Sequence, residues 1–249
     1  MSDLFFTVLH EHSVYEMLLA LLVIFFATSI QVGMGIAFGL IAGPLLALID
    51  VAFVPVPVLF LTFATSISVF WGERKGVQWK ELQFAVSGRV IGSIIGAMVL
   101  AVIPGEKAFM LIFGSLIALA VLVSVSGFTI PFTHQTVGIA GAVSGFTAAI
   151  TSVGGPPMAV VYQNQKAAYA RPTLQTYFAM GSFATLCILA VAGQVGRHDA
   201  MLAVLLLPAL ALGVIIGPKL RPFLDKSFRP FLLGSAAIAA VMLIFKGLS

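Results

Sequence analysis

Residues 14–49 read VYEMLLALLVIFFATSIQVGMGIAFGLIAGPLLALI, and residues 137–162 read VGIAGAVSGFTAAITSVGGPPMAVVY. Each stretch is apolar on both sides of an interruption by glycine, which lowers helix preference, and proline, which lacks an N–H donor. As one helix, the first stretch would be about 54 Å long, whereas the hydrocarbon core of a bilayer is about 30 Å thick. It must therefore break or double back, and the second stretch repeats the pattern.

The rest of the chain is almost as apolar as these two stretches. Of its 249 residues, 60% are hydrophobic and 9% are charged, whereas soluble domains carry about 25% charged residues. The apolar segments run approximately over 14–49, 51–70, 83–103, 108–125, 135–162, 173–193, 200–217 and 230–245. The sequence therefore predicts an all-α polytopic membrane protein, multi-pass in a cell inner membrane.

The eight segments fall into two related halves of four. A shift of about 120 residues places Gly35 on Gly155 and Phe63-Ala-Thr65 on Phe183-Ala-Thr185. We expect an N-terminal tail (1–13), a first transmembrane repeat (14–125), a connecting loop (126–134) and a second transmembrane repeat (135–249). Interrupted helices at matching positions of two repeats are typical of secondary transporters.

The basic residues indicate how the repeats are oriented. If the broken first segment of each half re-enters and returns, each half has an odd number of crossings and the second half is inverted. Most of the basic loops, from Arg74 and Lys75 to Lys219 and Arg229, then share one face, which the positive-inside rule makes cytoplasmic. Because Lys and Arg lie singly or in short clusters between apolar segments, no nucleic-acid partner is expected.

Broken helices expose backbone N–H groups at the positive end of a helix dipole, and these can bind an anion without a charged side chain. The expected substrate-binding residues lie at the two breaks, on segment two and on segment three: Gln31, Gly33, Met34, Gly35, Thr151, Ser152, Gly154, Gly155 and Pro156; Thr65; and Arg89. Hydroxyls can instead bond carbonyls of their own helix, and Arg89 can instead extend to the membrane surface. Gly92, Gly96, Gly213 and Gly217 have the spacing of close helix packing.

The glycine-rich stretches at 33–46 (GMGIAFGLIAGPLL) and 145–162 (GFTAAITSVGGPPMAVVY) resemble those of the TauE/SafE sulfite exporter family. The likeness extends to chain length, segment count and duplication, and the first stretch departs from the family's glycine run at Met34 and Ile36. The resemblance implies export, or in some members uptake, of sulfite, sulfonates or other small carboxylates, driven by the proton gradient.

We therefore expect a secondary transporter, an exporter of a small anion such as sulfite, an organosulfonate or a small carboxylate. It would bind this anion at the paired breaks near the membrane midplane. The alternatives are a passive anion channel or a transporter of a cation or neutral metabolite. An enzyme is not expected, because the chain has no HExxH motif, no paired intramembrane aspartates and no serine with a histidine at membrane depth.

No metal or cofactor is expected. The expected partners are the small anion, membrane lipid and, for the assembly, a second copy of the chain in a homodimer. Asp50 is the carboxylate that best suits a proton-coupling role, although it lies at the edge of its segment.

Overall fold

The structure is a computed structural model that describes residues 12–34, 38–220 and 228–249. Within these ranges the chain forms ten α-helices and no β-strand. The helices are α1 (Val14–Met34), α2 (Phe38–Ile49), α3 (Val56–Glu73), α4 (Trp79–Ala101), α5 (Gly105–Val125), α6 (His134–Thr151), α7 (Gly155–Tyr162), α8 (Ala167–Val191), α9 (Arg197–Leu220) and α10 (Phe228–Leu248).

Six of these helices, α1, α4, α5, α8, α9 and α10, are long and apolar enough to cross a membrane. Large apolar side chains on their outer faces are at least half exposed in the isolated chain; examples are Leu22, Ile95, Leu122 and Ile215. In a bilayer these faces contact lipid, which is as apolar as they are. The predicted all-α, multi-pass membrane protein is confirmed.

Both first segments are broken beside glycines. In the second half prolines also stand at the break, whereas in the first half Pro44 lies inside α2 and not at the break. In the first half α1 ends at Met34 and α2 begins at Phe38. In the second half α6 ends at Thr151, Ser152 takes the left-handed conformation with φ of 60°, and α7 begins at Gly155. Pro156 and Pro157 stand in the first turn of α7, where a missing N–H removes no helical hydrogen bond.

Each broken segment ends on the side where it began. Asp50, which follows α2, has its Oδ2 atom 3.4 Å from Nδ1 of His12, which precedes α1. In the second half, Gln163 follows α7 and donates from Nε2 to the carbonyl of Phe128, which precedes α6, at 2.8 Å. Helices α2 and α7 are therefore short arms that fold back along α1 and α6.

Glycines bring helices of the two halves into backbone contact. A Cβ atom on Gly88 of α4 would overlap the backbone of Gly138 of α6, and one on Gly92 would overlap the backbone of Ala142. Gly213 and Gly217 of α9 lie in the same way against Phe25–Thr28 and Ser29–Val32 of α1. Because residue numbers rise together in both pairs, α4 runs parallel to α6 and α9 runs parallel to α1. The predicted packing role of Gly92, Gly96, Gly213 and Gly217 is confirmed.

Two further pairs join the halves in antiparallel fashion. In α3 and α8, the rings of Phe63 and Phe183 are 5.7 Å apart, and the N–H of Gln78, after α3, donates to Oγ1 of Thr173 near the start of α8 at 3.0 Å. In α5 and α10, Nζ of Lys107 donates to the carbonyl of Ser249 at 2.8 Å. The halves are thus interleaved, and the breaks face one another inside the bundle.

Candidate functional site

The two helix breaks meet at the centre of the protein. A Cβ atom on Gly39, in the first turn of α2, would lie 2.8 Å from the carbonyl oxygen of Ser152. One on Gly43 would lie 3.1 Å from the carbonyl oxygen of Thr151. Only glycine allows the arm α2 to approach the α6–α7 break this closely.

Gln31 connects the first break to helix α8. The backbone N–H of Phe38, at the start of α2, donates to Oε1 of Gln31 at 2.9 Å. The Nε2 atom of Gln31 donates to Oε1 of Gln175 on α8 at 3.2 Å. Because Gln31 is buried, this amide satisfies an N–H group that the break would otherwise leave in an apolar interior.

Arg89, in the middle of α4, is the largest fully buried side chain of the described residues, with 1% exposure. Its Nε atom lies 3.4 Å from Oγ1 of Thr185, and its Nη1 atom lies 3.2 Å from Oγ of Ser144 and 3.5 Å from the Tyr177 hydroxyl. The guanidinium also lies over the Tyr177 ring, 5.2 Å from its centroid. All of these partners are neutral.

No carboxylate forms an ion pair with Arg89 in the described part of the chain. Nη2 of Arg89 also has no hydrogen-bond acceptor there. An uncompensated buried charge is unfavourable by several kcal/mol. A bound anion would remove this penalty.

Small residues make room for the guanidinium. A Cβ atom on Gly181 of α8 would overlap the side-chain stem of Arg89, and one on Gly154 would lie 2.8 Å from Nη1. The fold therefore seats the arginine between α4, α6, α8 and the second break.

A small polar cavity opens beside Arg89 at the meeting of the breaks. Its volume is about 20 Å³, which is room for roughly one water molecule. Its walls come from Gln31, Phe38, Gly39, Leu40, Thr62, Arg89, Ser152, Gly154, Gly155 and Phe178. No side chain caps the N-terminus of α7 at Gly154, so the positive end of this helix faces the cavity together with Arg89.

A comparison with protein-family models matches residues 20–243 to the family described as "Sulfite exporter TauE/SafE". The chain belongs to the TauE/SafE sulfite exporter family. Members of this family are membrane transporters and not enzymes, so this chain is a multi-pass membrane transporter of the sulfite exporter type. A search of curated proteins and a search of solved structures each found no match.

The TauE/SafE chain brings five of the predicted site residues together around the cavity: Gln31, Arg89, Ser152, Gly154 and Gly155. Arg89 does not extend to the membrane surface, because it is buried against α6 and α8.

Three predicted residues lie elsewhere. The Thr65 and Thr151 hydroxyls donate to carbonyls of their own helices, at 2.8 Å each. Pro156 lines an apolar crevice on the other side of α7. Gly33 and Met34 are the last two residues of α1, and Gly35 lies outside the described residues.

The neutral groups that hold Arg89 and Gln31 were not predicted from the sequence: Ser144, Gln175, Tyr177 and Thr185. Thr62 of α3, which also lines the cavity, was missed as well. A signal was present, because Gln175 and Tyr177 lie within an apolar spanning segment, where polar side chains are rare and usually functional. Within the described ranges, no cluster of His, Cys, Asp or Glu could hold a metal ion.

Proposed function

We propose that the protein is a secondary transporter that exports a small anion, such as sulfite, an organosulfonate or a small carboxylate, and that the anion binds beside Arg89. The observation that carries the proposal is the buried guanidinium of Arg89. Its hydrogen-bond partners are neutral, and no carboxylate of the described residues forms an ion pair with it. An oxyanion would accept hydrogen bonds from Nη2 of Arg89 and from the backbone N–H groups of Gly154 and Gly155. Pro156 and Pro157, which follow in the first turn of α7, have no N–H to donate.

The site is proposed to lie near the membrane midplane. Arg89 follows Trp79, the first residue of α4, by about 15 Å along the helix axis, which is half the thickness of a hydrocarbon core of about 30 Å. A charge at this depth is far from both aqueous phases and marks a substrate pathway by default.

The two halves are proposed to be inverted repeats. Three observations support this. Each half contains a long helix, a folded-back arm and three further helices. Helix α1 packs on α9 as α6 packs on α4, and these two pairs run parallel, whereas the pairs α3–α8 and α5–α10 run antiparallel. These directions follow if every helix of one half points opposite to its counterpart in the other.

The face that contains the α3–α4 and α7–α8 loops is proposed to be cytoplasmic, in a cell inner membrane. Arg74, Lys75, Lys80, Lys166 and Arg171 lie on or beside these loops, whereas the described basic residues at the other ends of the helices are Lys107, Arg197 and Lys246. This asymmetry has the direction of the positive-inside rule. An inside-negative potential would then favour export of an anion by about 2.3 kcal/mol per charge per 100 mV.

Admission of an anion requires a helix to move, because the cavity holds about one water. The arm α7 has space behind it, since an apolar crevice of about 420 Å³ lies between α5, α6 and the Pro156–Val160 side of α7. The arm α2, in contrast, packs through Leu46 and Phe38 into the main hydrophobic core. Movement of α7 towards the crevice would widen the site.

Thermal unfolding of the detergent-purified protein tests the proposal, because a ligand that binds the folded state raises its apparent stability. The panel is sulfite, thiosulfate, sulfoacetate, isethionate, taurine, acetate, sulfate and chloride, with sodium as a cation control. We expect a selective shift with one sulfur oxyanion, sulfonate or carboxylate. A shift with sodium or a neutral compound alone would contradict the anion site.

Flux into proteoliposomes separates the transporter from the passive channel. We expect saturable transport that responds to a proton gradient, whereas a channel would show neither property.

The predicted homodimer is also part of the proposal, and the mass of the detergent complex measured by light scattering tests it.

A further inference from the structure

The apolar crevice between α5, α6 and α7 opens on the surface of the bundle that contacts lipid. Leu119 of α5 and Ile139 of α6 stand in its walls, and both side chains are more than half exposed in the isolated chain. The crevice has a volume of about 420 Å³. An empty space of this size would deprive its walls of dispersion contacts, so a molecule from the surroundings is expected to fill it.

Water does not suit the crevice, because a retained water needs about two to four polar partners. Among the described residues of the walls, the polar side chains are Thr136 and Thr147. Their hydroxyls already donate to carbonyls, Thr136 to Pro131 at 2.6 Å and Thr147 to Val143 at 3.1 Å. The other side chains of the walls are apolar, so hydrocarbon matches the crevice better than water or an anion does.

The crevice is about as long as one leaflet of a bilayer is deep. Along α6 its wall extends from Thr136, in the first turn, to Thr147, about 16 Å further along the helix axis. Half of the hydrocarbon core is about 15 Å thick. Phe128, which also stands in the wall, accepts the hydrogen bond of Gln163 beside the α7–α8 loop. The crevice therefore extends from the proposed cytoplasmic face to the middle of the membrane.

The two arms differ in what covers them. The arm α2 is covered by α10 within the main hydrophobic core. On α7, Pro156, Pro157 and Val160 face the crevice, which separates them from α5, the counterpart of α10. The N-terminal residues of α7, Gly154 and Gly155, line the anion cavity. A molecule in the crevice thus contacts α7 from the lipid side, while the anion site lies on its inner side.

We infer that the crevice binds one acyl chain of a membrane phospholipid, and that a chain bound there restrains α7. The restraint rests on the proposed function, in which α7 moves towards the crevice to admit the anion. The chain and the displaced arm need the same space, so the chain must leave before the site can widen. The phospholipid binds the narrow state of the site in preference to the wide one, and it thereby lowers the rate of transport.

Two leucines of α5 provide matched reporters of a bound chain. Leu119 lines the crevice, whereas Leu122 is 62% exposed and lies outside its walls. Leu119→Trp and Leu122→Trp are each made in the full-length chain after its two natural tryptophans, Trp71 and Trp79, have been replaced by phenylalanine. Each detergent-purified protein is titrated with phosphatidylcholine whose acyl chains have bromine atoms near their middle, because bromine quenches indole fluorescence on contact.

We expect the fluorescence of Leu119→Trp to fall saturably and to level off near equimolar phospholipid. The fluorescence of Leu122→Trp should fall only in proportion to the phospholipid content of the micelle. If Leu119→Trp does not fold, Ile139→Trp on the facing wall replaces it, with the same expectation. Equal quenching curves for the crevice position and for Leu122→Trp would overturn the lipid site.

The restraint on α7 is tested by the flux of isethionate and sulfite into proteoliposomes. Ala120→Phe adds a ring to the wall of the crevice, and a side chain cannot leave as an acyl chain can. We expect its maximal transport rate to be several-fold lower than that of Ala211→Phe, which adds the same ring at an exposed position of α9. If Ala120→Phe does not fold, Val143→Phe on the α6 wall replaces it.

Equal transport rates in the crevice variant and Ala211→Phe would overturn the restraint on α7. Absence of anion transport by the wild type would defeat the proposed function together with this restraint. Saturable quenching of Leu119→Trp would in that case still establish the lipid site, because the quenching measurement needs no anion.

Discussion

Replacement of Arg89 by glutamine should weaken anion binding strongly while it changes the stability of the fold little. The three hydroxyls that contact Arg89 all have a second partner: Ser144 donates to the Gly154 carbonyl at 2.5 Å, Thr185 donates to the Gly181 carbonyl at 2.8 Å, and the Tyr177 hydroxyl lies 3.5 Å from the Gly141 carbonyl. The variant therefore leaves no hydroxyl unpaired, and it removes an uncompensated buried charge.

Two opposing terms set the stability of the Arg89→Gln variant without ligand. Loss of the hydrogen bonds of Arg89 destabilises by about 1 kcal/mol each, whereas removal of a buried charge stabilises by several kcal/mol. We expect a net change within about 2 kcal/mol, or about 4–8 °C in the unfolding midpoint.

The effect on anion binding should be much larger. Loss of a charge-assisted hydrogen bond of about 1.5–3 kcal/mol weakens affinity about 10- to 150-fold. At an anion concentration of 100 times the wild-type Kd, ligand stabilisation is about 2.7 kcal/mol for the wild type and falls to about 0.4 kcal/mol for a variant that binds 100-fold more weakly. Arg89→Lys keeps the charge but lacks the planar fork, and its stabilisation should fall between these values.

Thermal unfolding in detergent with and without the best anion of the panel measures both quantities in one experiment. Undiminished anion stabilisation in Arg89→Gln would refute the assignment of Arg89 to the site. A variant that loses about 5 kcal/mol of stability without ligand would show that Arg89 stabilises the bundle, and that its burial cannot be attributed to anion binding.

Three further substitutions test the packing and the site by the same unfolding assay. Gly92→Ala should be strongly destabilising, because the added Cβ would overlap the backbone of Ala142. The matched control Gly234→Ala meets nothing within 4 Å and should be neutral or stabilising by up to about 1 kcal/mol; equal effects would refute the proposed glycine contact. Gly154→Ala should fold but bind the anion more weakly, because its Cβ would lie 2.8 Å from Nη1 of Arg89, and unchanged affinity would count against the cavity. Gln31→Glu should weaken binding about tenfold or more by like-charge repulsion, whereas a tighter complex would indicate a cationic substrate.

Local rules predict the elements of this fold because length, hydropathy, glycine and proline act within single segments. The break after Thr151 is visible in the sequence, since the helix must end before Pro156 and Pro157. The packing of Gly92 and Gly213 was also predictable, because close helix contact in a membrane requires small residues.

The partners of Arg89 were not predictable in the same way. Ser144 and Thr185 are 55 and 96 residues from Arg89 along the chain, and their meeting depends on the register in which α4 packs on α6 and α8. The same uncertainty explains Thr65, which was expected to line the site as a hydroxyl of segment two, whereas its hydroxyl donates to a carbonyl of its own helix. A sequence specifies which face of a helix is small, but the register is set by many contacts together.

The charge inventory of the site also bears on which anion it can hold. Arg89 and the α7 N-terminus together supply about one and a half positive charges, and the described residues around the cavity add no negative charge. A monoanion such as a sulfonate neutralises the arginine and leaves little excess. A dianion such as fully ionised sulfite brings excess negative charge into a low-dielectric interior, where it is unfavourable, unless a proton binds with it. The buried arginine and the α7 N-terminus therefore favour small anions that enter with about one net negative charge.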